Sequence, residues 1–335
     1  MSERTKESKT QKPVRLLVTG ASGFLGSAIA EQCRMDGMEV IATGRRELKI
    51  GVPGYFTADV TDPKSMSGAL TNVDCVIHAA GLAHQFRDGK KSSPFLKINV
   101  NGTENVALAA TRAGVSHFVL ISSVSVYGPH GKQACDEETI CNSPEPYGQS
   151  KYQAEQRARE IIEKAGGQLT ILRLATVYGE GDPGNVGRLM RMIDRGRFVW
   201  VGDGSNRKSL IHKNDAARAC THVVRQPSPG INTYNVTASI STMRAIVEEL
   251  ASALGRELPR WRIPPGVAKT MAISFDRIAR RGKRSGKFAR TVERWLDDDV
   301  YDASRFNREF GFAAKVLLSD GLRREVKWYR QSVER

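Results

Sequence analysis

The chain has 335 residues, of which 51 are Lys or Arg and 36 are Asp or Glu, so its formal net charge is +15 at pH 7. With 40% hydrophobic residues and 31 glycines, the composition is that of a globular protein, which excludes a fibrous repeat, a collagen and a largely disordered chain. At roughly 100–200 residues per domain, this length predicts two lobes or one large α/β unit.

Apolar runs alternate with helical patterns through the first half of the chain. A polar arm over residues 1–12, expected to be disordered, precedes predicted strands at 14–19, 39–43, 55–58, 75–79, 117–122 and 169–174, and predicted helices at 24–36, after Pro63, at 94–113 and at 147–164. Repeated β–α units predict an α/β fold with a doubly wound, Rossmann-like parallel sheet. We therefore expect a Rossmann domain over 13–178, with some later segments returning to it, and a smaller C-terminal α/β lobe over 179–331, where the alternation becomes irregular.

The cysteines and the charge distribution limit the location and the partners. The five cysteines are scattered and form no Cys-x-x-Cys pair, so we expect no disulfide framework, no metal site and a reducing compartment, the cytoplasm. No apolar run reaches the ~18 residues that a membrane span needs. Basic residues concentrate over 277–290, where a solvated helix face is the simplest interpretation. A phosphate or membrane-surface contact is the next one, and nucleic acid is not expected, because no stacking platform or nucleic-acid motif accompanies the cluster.

Three glycines follow the first predicted strand at a spacing of three residues. Gly20, Gly23 and Gly26 stand where a strand ends and a helix opens, a context in which glycines let the backbone approach a pyrophosphate at the positive end of the helix. The spacing is one residue longer in its first gap than the usual Gly-x-Gly-x-x-Gly fingerprint. The residues expected to bind a dinucleotide here are Gly20, Ser22, Gly23, Phe24, Leu25 and Gly26.

The ends of the next strands indicate which dinucleotide is bound. An acidic residue after the second strand would accept hydrogen bonds from the adenosine ribose of NAD, but this chain has Arg45 there, and an Arg can pair with the 2′-phosphate of NADP. NADP is therefore slightly favoured over NAD. Further cofactor contacts are expected from residues that follow the third and fourth strands: Asp59, Val60, Ala79, Ala80 and Gly81.

A Tyr-x-x-x-Lys pair on the helix predicted at 147–164 carries the chemistry. Tyr147 and Lys151 share a helix face, so the Lys151 ammonium can approach the phenol. At ~4 Å and an effective dielectric constant of ~20, a unit charge contributes ~4 kcal/mol, enough to bring the pKa of a phenol from about 10 towards neutrality. Such a tyrosine can exchange a proton with a sugar hydroxyl or carbonyl group. Ser122, Ser123 and Ser125 add hydroxyl groups at the carboxyl edge of the sheet.

Together these motifs resemble those of the extended short-chain dehydrogenases/reductases, in the NAD-dependent epimerase/dehydratase family that acts on nucleotide sugars. The resemblance covers residues 14–329. It implies that the glycine turn and Asn99 bind the cofactor, that Tyr147 is the catalytic acid/base and Ser123 the catalytic hydroxyl residue, and that Lys151 holds the nicotinamide ribose. It also implies a homodimer built from the helices at 94–113 and 147–164.

The resemblance extends into the second lobe, which it identifies as mainly substrate-binding. In relatives the matching segments hold the nucleotide diphosphate and its sugar, and the implied contacts here are Ser125, Thr176, Asn185 and a diphosphate clamp at Arg207 or Lys208. Thr176 stands where many relatives carry Asn, and Leu174 where many carry Pro, so the resemblance does not identify the sugar that is bound.

Three functions follow, in order of preference. The first is a nucleotide-sugar 4-epimerase, with UDP as the expected carrier, that forms a transient 4-keto intermediate. The second is an NADPH-dependent reductase of nucleotide 4-keto-sugars, which Arg45 favours. The third is a catalytically silent dinucleotide-binding module, against which the presence of Ser123, Tyr147 and Lys151 argues. A 4,6-dehydratase is less expected, because that chemistry needs an acidic pair where Val124 and Ser125 stand.

Overall fold

A computed structural model describes residues 13–46, 54–83, 93–280 and 287–333. The arm expected over 1–12 and part of the basic segment, residues 281–286, lie outside the described residues.

A seven-stranded sheet forms the centre of the molecule. Its strands, numbered along the chain, are β1 Arg15–Thr19, β2 Glu39–Gly44, β3 Tyr55–Thr57, β4 Cys75–His78, β5 His117–Ser123, β6 Gln168–Leu174 and β10 Ile231–Val236. Their order is β10-β6-β5-β4-β1-β2-β3, and every pairing is parallel. The doubly wound parallel sheet expected from the sequence is thus confirmed.

Helices cover both faces of this sheet because alternate strand residues point to opposite sides. Leu16 and Val18 of β1 join a core with the helices α1 Phe24–Met35 and α6 Lys213–Arg225, whereas Leu17 joins a second core on the other face. The second core is closed by α3 Gly102–Arg112 and α4 Pro146–Lys164. Burial on both faces requires strands that are mainly apolar, as these are.

Two local departures from the predicted elements have identifiable causes. The helix expected after Pro63 is only a 3₁₀ helix, Ser67–Leu70, because the Ser65 hydroxyl bonds the carbonyl groups of Asp59 and Asp62 and offers the backbone an alternative to a helical turn. The helix expected at 94–113 is three consecutive segments: α2 Ser93–Phe95, a π-helical stretch Leu96–Asn101, and α3. The remaining predicted strands and helices of the first half are present, and none of their ends is shifted by more than one residue.

The C-terminal part adds two small sheets and a core of its own. Its further elements are β7 Thr176–Tyr178, α5 Asn185–Asp194, β8 Trp200–Val201, β9 Arg207–His212, β11 Ile240–Thr242, α7 Met243–Leu254, β12 Arg262–Ile263, α8 Pro265–Arg280, α9 Lys287–Leu296, α10 Ser304–Phe310 and α11 Leu318–Val333. β9 pairs with β7 and β11, and β8 pairs with β12. Trp200, Leu250 and Leu322 belong to the core of this part. None of the helices in the described parts of the chain is long and apolar enough to cross a lipid bilayer.

Candidate active site

A cavity of about 450 Å³ opens at the carboxyl ends of β1, β2, β4, β5 and β6. In open α/β sheets this edge is where ligands bind. Many residues named from the sequence line the cavity: Gly20, Ser22, Gly23, Phe24, Leu25, Gly26, Arg45, Asp59, Val60, Ala79, Ala80, Gly81, Asn99, Ser123, Ser125, Tyr147, Lys151, Thr176 and Asn185. The fold therefore brings the glycine turn, the Tyr–Lys pair and part of the second lobe to one place.

The glycine turn brings the start of α1 to the cavity wall. Gly20 has φ +71°, and a Cβ atom there would lie 2.7 Å from the backbone of Ala80. A Cβ atom at Gly26 would lie 2.2 Å from the Gly20 oxygen, so both positions need glycine. No side chain caps α1 at Gly23, and no acidic residue stands in its first turn. The backbone N–H groups at this end of α1 are thus suited to bind an anion.

Arg45 and Asp59 lie together at one end of the cavity. The Asp59 carboxylate accepts a hydrogen bond from the Thr61 N–H group at 2.9 Å, which lowers the pKa of Asp59, and the positive charge of Arg45 lowers it further. Arg45 is exposed. The end of the cavity next to the carboxyl ends of β2 and β3 is therefore lined by both a cation and an ionised carboxylate.

Asn99 is oriented by the π-helical stretch and fixes one wall of the cavity. Its side-chain oxygen accepts from Leu82 N at 2.7 Å, and its Nδ2 donates to the Leu82 carbonyl oxygen at 3.1 Å and to Ser150 Oγ at 2.9 Å. A π-helical turn displaces the helix register locally and is frequent at functional sites. Asn99 thereby connects the segment after β4 to α4, the helix that carries Tyr147.

Ser123 and Tyr147 meet inside the cavity. Ser123 ends β5, and its Oγ accepts from the Ser125 N–H group and donates to Ser125 Oγ, both at 3.1 Å. The Ser123 hydroxyl is also near enough to the Tyr147 phenol to oppose the rise in its pKa. A serine hydroxyl and a phenol that line the same cavity can together bind one oxygen atom of a ligand and move a proton to or from it.

The pKa of Tyr147 differs from the sequence expectation. Burial raises it above the ordinary value, and the nearby Ser123 hydroxyl opposes this rise in the pKa only in part. Lys151 is buried, and its ammonium donates to the Ile121 carbonyl oxygen at 2.6 Å. Burial lowers the pKa of Lys151 to about 8, against an opposing effect of Glu155. The predicted lowering of the Tyr147 pKa is therefore wrong for the protein without bound ligands, because the effect of burial on the pKa is larger than the effects that oppose it.

Glu155 is a buried residue that the sequence analysis missed. Its carboxylate accepts from the Ser122 hydroxyl and pairs with Arg173, whose Nη2 lies 2.7 Å from Oε2. Arg173 also donates to the Tyr127 hydroxyl at 3.0 Å. The spacing Tyr147, Lys151, Glu155 was a signal for this residue, because positions four apart share a helix face.

His78 supports the floor of the cavity in its neutral form. Its Nδ1 lies 2.7 Å from Thr19 Oγ1 and its Nε2 3.1 Å from Thr103 Oγ1. Since the Thr103 hydroxyl donates to the Asn99 carbonyl oxygen, Nε2 must carry the ring proton and Nδ1 must accept from Thr19. Burial lowers the pKa of His78 to about 3. The imidazole thus joins β1, β4 and α3 without a charge.

The loop before α5 contributes a wall of the cavity that the sequence motifs did not indicate. Asp182, Pro183 and Gly184 line the cavity. The Asp182 carboxylate accepts from Gly184 N at 2.6 Å and from Gly187 N at 2.8 Å, so it caps α5 and fixes Asn185 at the start of that helix. Thr176, the first residue of β7, lies on the same side of the cavity.

Arg207 and Lys208 lie outside the cavity lining. Arg207 forms a two-pronged pair with Asp298, with Nη2 at 2.8 Å and Nε at 3.0 Å from Oδ2. Lys208 is buried, and its ammonium lies 2.6 Å from Asp299 Oδ2 and also donates to the carbonyl oxygens of Arg294 and Asp297. These bonds join β9 to the segment after α9, which explains why both cations are engaged away from the cavity.

Comparisons with known proteins agree with this architecture. The model of the NAD dependent epimerase/dehydratase family matches residues 16–237. The N-acetyl-alpha-D-glucosaminyl-diphospho-ditrans,octacis-undecaprenol 4-epimerase of Escherichia coli O157:H7 is 29% identical to this chain, over 93% of this chain and 94% of that protein. The 2-alkyl-3-oxoalkanoate reductase of Stenotrophomonas maltophilia (strain K279a) is also 29% identical, over 93% of this chain and 98% of that protein.

Among solved structures, MoeE5 in complex with UDP-glucose and NAD is 26% identical and superposes with a TM-score of 0.75, covering 96% of this chain and 99% of that one. The family model spans well over half of the chain, and it includes the glycine turn, the Tyr–Lys pair and β10. The chain therefore belongs to the NAD dependent epimerase/dehydratase family, a family of enzymes of the short-chain dehydrogenase/reductase class.

Proposed function

We propose that the protein is a 4-epimerase of sugars carried on a diphosphate, in the first place a UDP-hexose 4-epimerase that works through a transient 4-keto intermediate. The observation that carries this proposal is the grouping of Ser123, Tyr147 and Lys151 in one cavity with the glycine turn of α1. The name of the E. coli relative describes a 4-epimerase of a sugar diphosphate, and the MoeE5 structure holds UDP-glucose. Both support this substrate class.

The cavity is suited to a nicotinamide dinucleotide. A Cβ atom built on Gly23 would have only the Gly20 oxygen within 4 Å, if its neighbours in the chain are left aside and the described residues are considered. The space in front of Gly23 is therefore open, and a ligand can approach the start of α1 closely. We propose that the glycine turn, Asn99 and Lys151 hold NAD or NADP there. MoeE5 was solved with NAD, whereas Arg45 favours NADP. Such a dinucleotide would supply reversible hydride transfer at the sugar carbon.

The residues of this chain handle the proton and the orientation of the sugar. We assign to the phenolate form of Tyr147 the removal of the proton from the sugar 4-hydroxyl group during oxidation, and to the phenol so formed the return of that proton during reduction. Ser123, which lines the cavity beside Tyr147, is assigned to orient the same oxygen, and the buried Lys151 is assigned to bind the cofactor ribose. Ser125, Thr176 and Asn185 are assigned to the sugar because they line the same cavity.

The division of the chain follows from these assignments. We propose that residues 13–178 with β10 bind the cofactor, and that residues 179–331 mainly bind the substrate. We also propose a homodimer formed through α3 and α4, which pack together and leave Leu108 and Ile161 half-buried along a groove. A cytoplasmic location is proposed because all five cysteines are free thiols.

The second candidate is an NADPH-dependent reductase. Arg45 at the cavity wall favours it, and the S. maltophilia relative is named a reductase. The two candidates differ in how they treat the cofactor, because an epimerase regenerates it in place and a reductase consumes it. Denaturing freshly purified protein and identifying the released nucleotide by mass spectrometry separates them. A near-stoichiometric nucleotide supports the epimerase, and a site that fills reversibly with NADPH supports the reductase.

Replacement of Tyr147 by Phe tests the catalytic assignment. Purified enzyme is incubated with UDP-glucose, UDP-N-acetylglucosamine and N-acetylglucosaminyl diphospho-undecaprenol, and the C4 epimers are separated by chromatography. Tyr147→Phe should lower kcat by at least about a hundred-fold, the usual contribution of a general acid/base, with cofactor binding nearly intact. Tyr152→Phe, an exposed tyrosine on the same helix, is the control. A Tyr147→Phe enzyme with most of its activity would remove the phenol from the mechanism.

A further inference from the structure

The helical hairpin formed by α8 and α9 exposes an unusual amount of apolar surface. Of the fifteen large apolar side chains that are exposed in the described residues, six lie between residues 261 and 288. Val267, Met271 and Phe275 are spaced four apart on α8 and are 49%, 59% and 56% exposed, so they form one continuous stripe. Phe288 of α9 extends this stripe. A contiguous exposed apolar patch marks an interaction surface.

The hairpin is held together by specific contacts, so the exposed stripe belongs to an ordered unit. The buried Asp276 carboxylate accepts from the N–H groups of Phe288 at 3.3 Å and Ala289 at 3.0 Å, and thus caps the start of α9. The rings of Phe275 and Phe288 meet edge to face with centroids 4.7 Å apart. Ala268 and Ala272, on the neighbouring face of α8, are buried.

The hairpin is also tied to the region of the candidate active site. Arg290 and Arg294 of α9 lie 3.5 Å and 3.7 Å from a carboxylate oxygen of Glu145. Glu145 is the residue immediately before α4, and Tyr147 is the second residue of that helix. The stripe therefore lies on an element that contacts the start of the catalytic helix.

The charge of this segment is concentrated and of one sign. Residues 261–296, about a tenth of the chain, carry ten Lys or Arg and two acidic residues, and so account for more than half of the net charge of +15. Of the two acids, Asp276 is engaged in capping α9. Lys269 and Arg277 are exposed on α8, the helix that carries the apolar stripe. An exposed apolar face on a helix whose exposed polar face is basic is the pattern of a helix that lies in the interface of an anionic membrane.

We propose that the α8–α9 hairpin docks on the surface of an anionic lipid bilayer, with the apolar stripe inserted between the headgroups and the exposed cations of the same hairpin attracted to the lipid phosphates. A second copy of this chain does not suit the stripe, because two surfaces of the same strong positive charge repel each other. Nucleic acid would engage the cations and leave Val267 and Met271 in water. This inference concerns a surface outside the cavity, so it stands or fails independently of the proposed reaction.

Vesicle cosedimentation of the full-length protein tests the proposal. Vesicles of phosphatidylglycerol and phosphatidylcholine in equal parts are compared with vesicles of phosphatidylcholine alone. The wild type should pellet with the former, remain in the supernatant with the latter, and be released by salt. Lys269→Gln/Arg277→Gln should weaken binding by about five-fold per cation removed. Val267→Thr/Met271→Gln should weaken it at unchanged charge.

Matched controls lie elsewhere on the protein. Met35→Gln removes an equally exposed apolar side chain from α1, and Lys164→Gln removes an exposed cation at the end of α4. Neither should change vesicle binding, and all variants should keep the circular dichroism of the wild type. The proposal is overturned if the wild type fails to bind phosphatidylglycerol vesicles, or if the controls weaken binding as much as the hairpin variants do. It is also overturned if light scattering shows that Val267→Thr/Met271→Gln dissociates an oligomer, since the stripe would then join protein copies.

Discussion

Replacing Glu155 by Gln should destabilise the fold strongly, although the side chain keeps its shape. The Glu155 carboxylate is fully buried, and the Arg173 side chain that pairs with it at 2.7 Å is only 6% exposed. The substitution leaves the guanidinium without a counter-charge in a site that water cannot reach. Removing one partner of a buried ion pair costs about 3–5 kcal/mol, which is a large part of the stability of an ordinary domain.

Urea unfolding followed by circular dichroism measures this cost at pH 7. Glu163→Gln, at an exposed position of the same helix, is the control and should change the free energy of unfolding by less than about 0.5 kcal/mol. The double variant Glu155→Gln/Arg173→Met removes both charges of the pair and should recover much of the loss, because the guanidinium is then no longer buried without its partner. If Glu155→Gln alone unfolds like the control, the assignment of a strongly coupled buried pair is refuted.

The remaining predictions concern the cofactor and the pH profile. Arg45→Asp should shift the ratio of NADP to NAD affinity towards NAD by roughly ten- to hundred-fold, the equivalent of one charged hydrogen bond, whereas Arg46→Asp should change it little. An unchanged ratio would remove Arg45 from phosphate recognition. Because the pKa of Lys151 lies at about 8, its ammonium form predominates below that pH, and kcat/KM should fall as the pH rises through about 8. A profile that stays flat to pH 9.5 or so contradicts a role for that ammonium. Gly26→Ala places a Cβ atom 2.2 Å from a backbone oxygen of the turn and should weaken NAD binding measured by calorimetry by more than about ten-fold, while Gly68→Ala, which meets nothing within 4 Å, serves as its control.

The strands and helices of the first half could be predicted because their signals are local. An apolar run, a glycine turn and a helical period lie within a few residues of one another, as in β1, the turn at Gly20 and α1. The parallel order of the sheet follows from the same alternation, since each crossover is right-handed. The helix after Pro63 was predicted less well, because the Ser65 hydroxyl donates to backbone carbonyl oxygens there and so replaces the hydrogen bonds of a helical turn.

The candidate site divides in the same way. Spacing alone places Tyr147 and Lys151 on one helix face, and strand ends place Ser123 and the glycine turn at one edge of the sheet. By contrast, the direction of the Tyr147 pKa depends on burial, which no spacing reports. The π-helical stretch that carries Asn99 has no simple sequence signal either, and the partners of the Asn99 side chain, Leu82 and Ser150, lie in other segments of the chain.

By itself, then, the sequence determined the α/β fold, the glycine turn and the residues that meet in the cavity, because each rests on a period or a short motif. Only the tertiary structure decided which charged groups are available. It pairs Arg207 with Asp298, 91 residues away along the chain, and it buries Glu155 against Arg173. It also leaves the stripe of Val267, Met271 and Phe275 exposed. The physical reason is that burial and ion pairing depend on distances between segments far apart in the chain, and a linear pattern contains no such distances.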